Sequence, residues 1–192
     1  MPSDGLIKTD VMKPFVATIP QGSNPKLDYD KLKAAKVSAM MFFGGELYDM
    51  AHLKRTYVNS YLASQVKQCR SSGLPYAIYV NVRAKTVIEA DAECRALYYV
   101  LAEYPPTLGV WLSLCLSATT EVNNDIVEVY YKYIEKWGLK ARCGFYVTPT
   151  QLSKVTWNKF QDRFYLWMID DSIDIKTIQD KLLQPDLFEV PD

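Results

Sequence analysis

The sequence predicts an α/β fold, a modified β/α barrel of the TIM type in a single domain. Three observations carry this. Apolar strand-like runs alternate with amphipathic helical stretches along the chain. The stretches between strands are long enough for right-handed parallel crossovers. Six such strands follow one another with no linker, low-complexity tract or internal repeat between them. A doubly wound open sheet is the competing arrangement.

Residues 13–19 (KPFVATI) read as the first strand, closed by Pro20-Gln21-Gly22, and residues 29–35 as a short helix. Residues 37–43 (VSAMMFF) read as the second strand, ending at Gly44-Gly45. Over 57–72, Tyr61, Leu62, Val66 and Cys69 recur at helical spacing until Gly73 stops the pattern. Residues 74–82 (LPYAIYVNV) form the third strand and 86–103 a helix. Pro105-Pro106 ends that helix, because proline lacks the amide hydrogen and clashes with the preceding turn. Residues 108–116 (LGVWLSLCL) are the fourth strand. Residues 124–137 are a helix with Ile126, Val127, Val129, Tyr130 and Ile134 on a broad apolar face. Residues 141–147 (ARCGFYV) and 163–169 (RFYLWMI) complete the strands, and a last helix spans 175–183. Residues 1–12 read as an N-terminal arm, 13–183 as the barrel and 184–192 as a C-terminal tail. The polar, proline-bearing ends read either as disordered termini or as arms that pack on neighbouring subunits.

With 192 residues, 49% of them hydrophobic, the chain can bury one sizeable core. The 22 Lys and Arg balance the 22 Asp and Glu, and no basic stripe appears, which argues against nucleic acid as a partner. No apolar stretch approaches the roughly 20 residues of a membrane span. The N-terminus has no apolar signal core, so the expectation is a protein made in the cytoplasm. Zero net charge gives little colloidal repulsion, which favours a place inside an assembly of other protein subunits. Cys69, Cys94, Cys115 and Cys143 form no CxxC pair and read as reduced thiols. With His52 the single histidine, neither a metal site nor a cofactor is expected.

Several segments, in order, resemble the glycoside hydrolase family 25 (Chalaropsis-type) lysozymes. Leu27-Asp28-Tyr29 resembles the family's "IDW", and Lys33-Ala34-Ala35-Lys36 resembles "KAAG" with lysine replacing the glycine. Tyr57-Val58-Asn59-Ser60-Tyr61 resembles "YVDPYF" with Asn59 in place of aspartate. Gly73-Leu74-Pro75 with Ala77-Ile78-Tyr79 resembles "AGLPVGVYHF", and Arg83-Ala84 with Ala90 and Glu93 resembles "RA…EA..EA". Gly109-Val110-Trp111-Leu112, then Gly144-Phe145-Tyr146-Val147, then Leu166-Trp167-Met168-Ile169 resemble "PVWLDVE", "GIYTN" and "LWIA". The resemblance implies a β/α barrel with a glycan groove at the C-terminal strand ends.

The same resemblance implies that the reaction has been lost. Side chains alternate across a strand, so Val110, Leu112 and Leu114 should face helices, and Trp111, Ser113 and Cys115 the lumen. The family places an aspartate and its acid glutamate where Ser113 and Cys115 stand. Its first-strand aspartate falls on Val16. Glycoside hydrolysis needs two carboxyl groups, and removing a general acid costs about 100-fold to 10,000-fold in rate. Ile173-Asp174-Ile175 resembles the family's late "VDLN.F" element, with a much shortened segment between Trp167 and Asp174. A Cys115–His52 dyad lacks an orienting partner.

The expected glycan-binding residues are Tyr79, Asn81, Arg83, Trp111, Tyr146 and Trp167, with Asp170 and Asp171 at the mouth. For the rings, filling the barrel is the competing role. The leading expectation is a catalytically inactive lysozyme-like structural or binding module, set in a bacteriophage tail or baseplate by family analogy alone. The alternatives are a pseudo-lysozyme that binds cell-wall or surface glycan, and an active peptidoglycan hydrolase using Asp170, Asp171 or Glu46; Asp49 lies close to Glu46 in sequence.

Overall fold

The computed structural model describes residues 15–20, 27–46, 57–139 and 142–169. The arm, the tail and the helix expected over 175–183 lie outside these residues. In chain order the elements are β1 (Phe15–Ile19), α1 (Tyr29–Ala34), β2 (Val37–Glu46), β3 (Tyr57–Val58), α2 (Leu62–Ser72), β4 (Tyr76–Val82) and α3 (Val87–Glu103). There follow β5 (Val110–Leu114), α4 (Thr120–Lys136), β6 (Cys143–Val147), α5 (Pro149–Leu152) and β7 (Tyr165–Met168).

The parallel strands lie in the order β1-β2-β4-β5-β6-β7, and β3 adds antiparallel to β2. Each parallel strand neighbours the next one along the chain, so the sheet winds one way, as a barrel wall does. A doubly wound sheet would reverse at an internal switch point, and that alternative falls. The sheet curls into a half-barrel with helices against it, in a single domain.

Its faces are chemically distinct. Val110, Leu112 and Leu114 pack toward the helices, in one cluster with Leu97 of α3 and Ile126 and Tyr130 of α4. The other face holds Met41, Phe43, Ala77 and Tyr79, with Val16, Trp111, Tyr146 and Trp167 against them. The alternation expected for the fourth strand holds for Val110, Trp111, Leu112 and Leu114, but the strand is shorter than the expected 108–116 and ends before Cys115. All of β4 is buried; a central parallel strand covered on both faces reads as a continuous apolar run.

The helix starts follow capping chemistry. The side chains of Asp28, Thr86, Thr119 and Thr148 accept from backbone N–H groups of α1, α3, α4 and α5, satisfying donors that the first turn leaves unpaired. Gly73 ends α2 in the left-handed conformation at φ 76°. Lys36, which replaces the glycine of the motif, holds φ 62° just after α1.

Several boundaries differ from the sequence reading. The glycine pair does not end the second strand: β2 continues to Glu46 through a register shift between Phe43 and Gly45. A Cβ on Gly44 would sit 2.5 Å from Ile78 Cγ2, so glycine here permits close strand contact and a bulge. Residues 57 and 58 are strand, and the helix begins only at Leu62. Buried Asn59 makes the turn: its Nδ2 donates to Phe43 O at 2.8 Å and its Oδ1 accepts from Tyr61 N at 3.1 Å. The helix expected from residue 124 starts one turn earlier, at the Thr119 cap.

Candidate functional site

Parallel register brings the C-terminal strand ends level. Glu46 of β2 pairs with Asn81 of β4, and Asn81 pairs with Ser113 of β5. Tyr146 of β6 pairs with Trp167 of β7. The register therefore brings these residues to one end of the sheet.

Beneath that row lies a layer of rings. Tyr79 stands 5.2 Å from Phe43 and 4.9 Å from Tyr146, centroid to centroid. Trp167 meets Trp111 at 5.7 Å and Tyr146 at 5.8 Å, both edge-on at 87°. Edge-to-face contacts of this kind favour a fixed layer. Tyr79 is only 6% exposed and belongs to the floor of the layer, whereas Trp111, Tyr146 and Trp167 are partly open. The indole Nε1 of Trp111 is buried with no hydrogen bond among the described residues. Gly144 makes room for this indole, since a Cβ there would fall 2.4 Å from Trp111 Cζ3.

The polar row is knitted together by Glu46. Its Oε1 accepts from Asn81 Nδ2 at 2.9 Å and from Arg83 Nη2 at 2.8 Å. The Glu46 hydrogen bond raises the Arg83 guanidinium above its usual value, so it stays charged. The sequence flagged these residues separately. Their contact spans 37 positions and depends on β2 continuing through Gly44-Gly45.

Ser113 and Cys115, two of the positions at which the resemblance puts carboxylates, lie in contact with each other. Ser113 Oγ lies 4.0 Å from Cys115 Sγ, and Gln151 Nε2 reaches the same sulfur at 3.7 Å. Gln151 is not among the residues that the sequence reading picks for the site. Its signal was legible as the Thr148-Pro149-Thr150-Gln151 capping box, which holds it at the start of α5. Val16 lies against the ring layer. Among the described strands Glu46 is the single carboxylate. Asp170, Asp171, Asp174, Asp49 and His52 lie outside the described residues. No cluster of metal-ligating groups occurs among the described residues, and none of their helices is long and apolar enough to cross a membrane.

A second carboxylate sits behind the row. Glu93 of α3 is 1% exposed, and its Oε2 accepts from the Tyr130 hydroxyl of α4 at 2.5 Å. Burial pushes Glu93 up to about 7, against the pull of Tyr130 and the Arg83 and Ala84 amides.

No family model matches the chain, and no curated protein matches it by sequence. Solved structures do match in fold. The modular autolysin LytC from Streptococcus pneumoniae superposes with a TM-score of 0.63 at 14% identity, over 74% of this chain and 34% of that one. GHIP, a glycosyl hydrolase 25 of Streptococcus pneumoniae, gives 0.62 at 17%, over 81% and 67%. The catalytic domain of endolysin ply40, from a bacteriophage of Listeria monocytogenes, gives 0.61 at 16%, over 82% and 74%. The chain spans about a third of the length of LytC. At these identities the likeness shows the fold, which is that of the family 25 lysozymes.

Proposed function

We propose that this lysozyme-like fold is a catalytically silent binding module that presents its strand-end mouth to a glycan or to a neighbouring subunit. The observation that carries this reading is the Ser113–Cys115–Gln151 contact. A glycosidase of this design needs a protonated carboxyl against the leaving oxygen and a second carboxylate near the anomeric carbon. A hydroxyl and a thiol capped by an amide supply neither. Glu46 already accepts two donors through one oxygen and serves as the anchor of Arg83.

Binding is supported by what remains. Partly open Trp111, Tyr146 and Trp167 offer apolar ring faces, and Asn81 and Arg83 offer donors beside them, the usual make-up of a ligand cleft. The virion setting, in which the domain works among other protein subunits, rests on family analogy alone.

Purified protein is expected to leave suspended bacterial cell walls turbid across pH 4.5–8. In a peptidoglycan pull-down it is expected to be retained, with Trp167→Ala weakening retention about tenfold, the loss of one good ring contact. Clearing of the walls would overturn the silent reading. Equal retention of the wild type and Trp167→Ala would overturn glycan binding at this mouth.

A further inference from the structure

Asn123 and Asn124, near the start of α4, are buried side chains that neither the ring layer nor the polar row uses. Both reach across to the segment that follows α5. Asn123 Nδ2 donates to Lys154 O at 3.0 Å and to Ala118 O at 3.1 Å. Its Oδ1 is buried without a hydrogen bond among the described residues. A buried acceptor left unpaired is costly, so Asn123 serves through its donors. Asn124 and Thr156 clasp each other. Asn124 Oδ1 accepts from Thr156 N at 2.8 Å, and Asn124 Nδ2 donates to Thr156 Oγ1 at 3.0 Å. Between the two tied positions Val155 is buried in the core.

The other end of α5 is fixed by the Thr148 capping box. Thr148 N donates to Gln151 Oε1 at 2.9 Å, and Gln151 N donates to Thr148 Oγ1 at 3.2 Å. An N–H can be met only by the oxygen of a side-chain amide, so the box also decides which way the Gln151 amide points. Its oxygen faces the cap, and its nitrogen faces Cys115 Sγ at 3.7 Å.

We propose that Gln151 is a specificity-determining residue of the mouth: the capping box and the Asn123 and Asn124 ties lock its amide nitrogen toward Ser113 and Cys115, where it meets an acceptor oxygen of the ligand with an N–H donor. The ligand step rests on the binding reading above; the lock rests on the hydrogen bonds alone. Nε2 carries two hydrogens and a thiol sulfur is a weak acceptor, so a ligand oxygen displaces little. A carboxylate at the same tip presents acceptors only and turns that oxygen away.

Gln151→Glu tests the ligand step. Glutamate also completes a capping box, so the turn is kept while the donor becomes an acceptor. In the peptidoglycan pull-down this variant is expected to be retained about tenfold less than the wild type, the loss of one hydrogen bond. The lock is read in the full chain by nuclear Overhauser contacts between the Gln151 side-chain NH2 and the Cys115 β protons. They are expected in the wild type, absent in Asn124→Ala, and present again in Asn124→Asp, whose carboxylate still accepts from both Thr156 groups. No such contact in the wild type, or an undiminished one in Asn124→Ala, overturns the proposal. If Asn124→Ala does not fold, equal retention of Gln151→Glu and the wild type overturns it. That same equality leaves the binding reading standing. A wild type that is not retained removes the binding reading and the ligand step together, and the contacts then report the lock alone.

Discussion

Trp111 and Gly144 share one volume on neighbouring strands: a Cβ on Gly144 would lie 2.4 Å from Cζ3 of the Trp111 indole and 2.7 Å from the Tyr165 carbonyl. The glycine is what lets the indole lie across β6 and meet Trp167. Gly144→Ala is expected to cost about 1–3 kcal/mol, the usual range for overfilling a packed site. Urea unfolding followed by tryptophan fluorescence measures it. The double change Gly144→Ala with Trp111→Leu should cost less than the sum of the single changes, because contacting residues couple. Strict additivity would show that the indole is not the obstacle.

Lys36 stands where the resembling motif carries glycine, at φ 62°. Its amide donates to Lys33 O at 2.8 Å, so the left-handed turn is fixed by the end of α1. A side chain in this conformation costs roughly 1–2 kcal/mol, and glycine avoids that cost but loses more chain entropy on folding. Lys36→Gly is therefore expected to stabilise by about 1 kcal/mol. Lys36→Ala keeps the Cβ and should be close to neutral. Thermal unfolding of the pair separates the backbone effect from loss of the charge. If Lys36→Ala stabilises as much as Lys36→Gly, strain at this φ is not the cause.

The strands and their faces were legible because burial imposes a period that local sequence records. Val110, Leu112 and Leu114 had to face helices, and they do. Trp111 falls on the opposite face by the same alternation, and there it meets Tyr79, Tyr146 and Trp167, which the resemblance singles out. What was not legible depends on contacts far apart in sequence. Gly44-Gly45 reads as a stop, yet Ile78 on the next strand requires glycine there for β2 to continue. The tie from Glu46 to Arg83 exists only because of that continuation. Residues 57 and 58 lie beside an apolar helical pattern, but pairing with Gly45 and Glu46 makes them strand. The start of α4 and the placement of Gln151 were written locally, in the Thr119 and Thr148 caps.

Glu93 gives stability a pH dependence of known sign. In the folded chain burial raises it from 4.5 to about 7, while the unfolded chain leaves it near the lower value. Between these values the folded state keeps a proton that the unfolded state has released. Stability is then greatest below about 4.5 as far as this group is concerned, falls as pH rises toward about 7, and levels off above it. For a group this deeply buried the fall is on the order of 3 kcal/mol. Glu93→Gln cannot ionise and its amide oxygen can still accept from Tyr130, so its stability should lack this decline and exceed the wild type at pH 8. Urea unfolding at intervals from pH 4.5 to 8 makes the comparison. Parallel profiles for the two proteins would mean that Glu93 is already ionised in the fold at the lower pH, with its charge carried by the Arg83 and Ala84 amides.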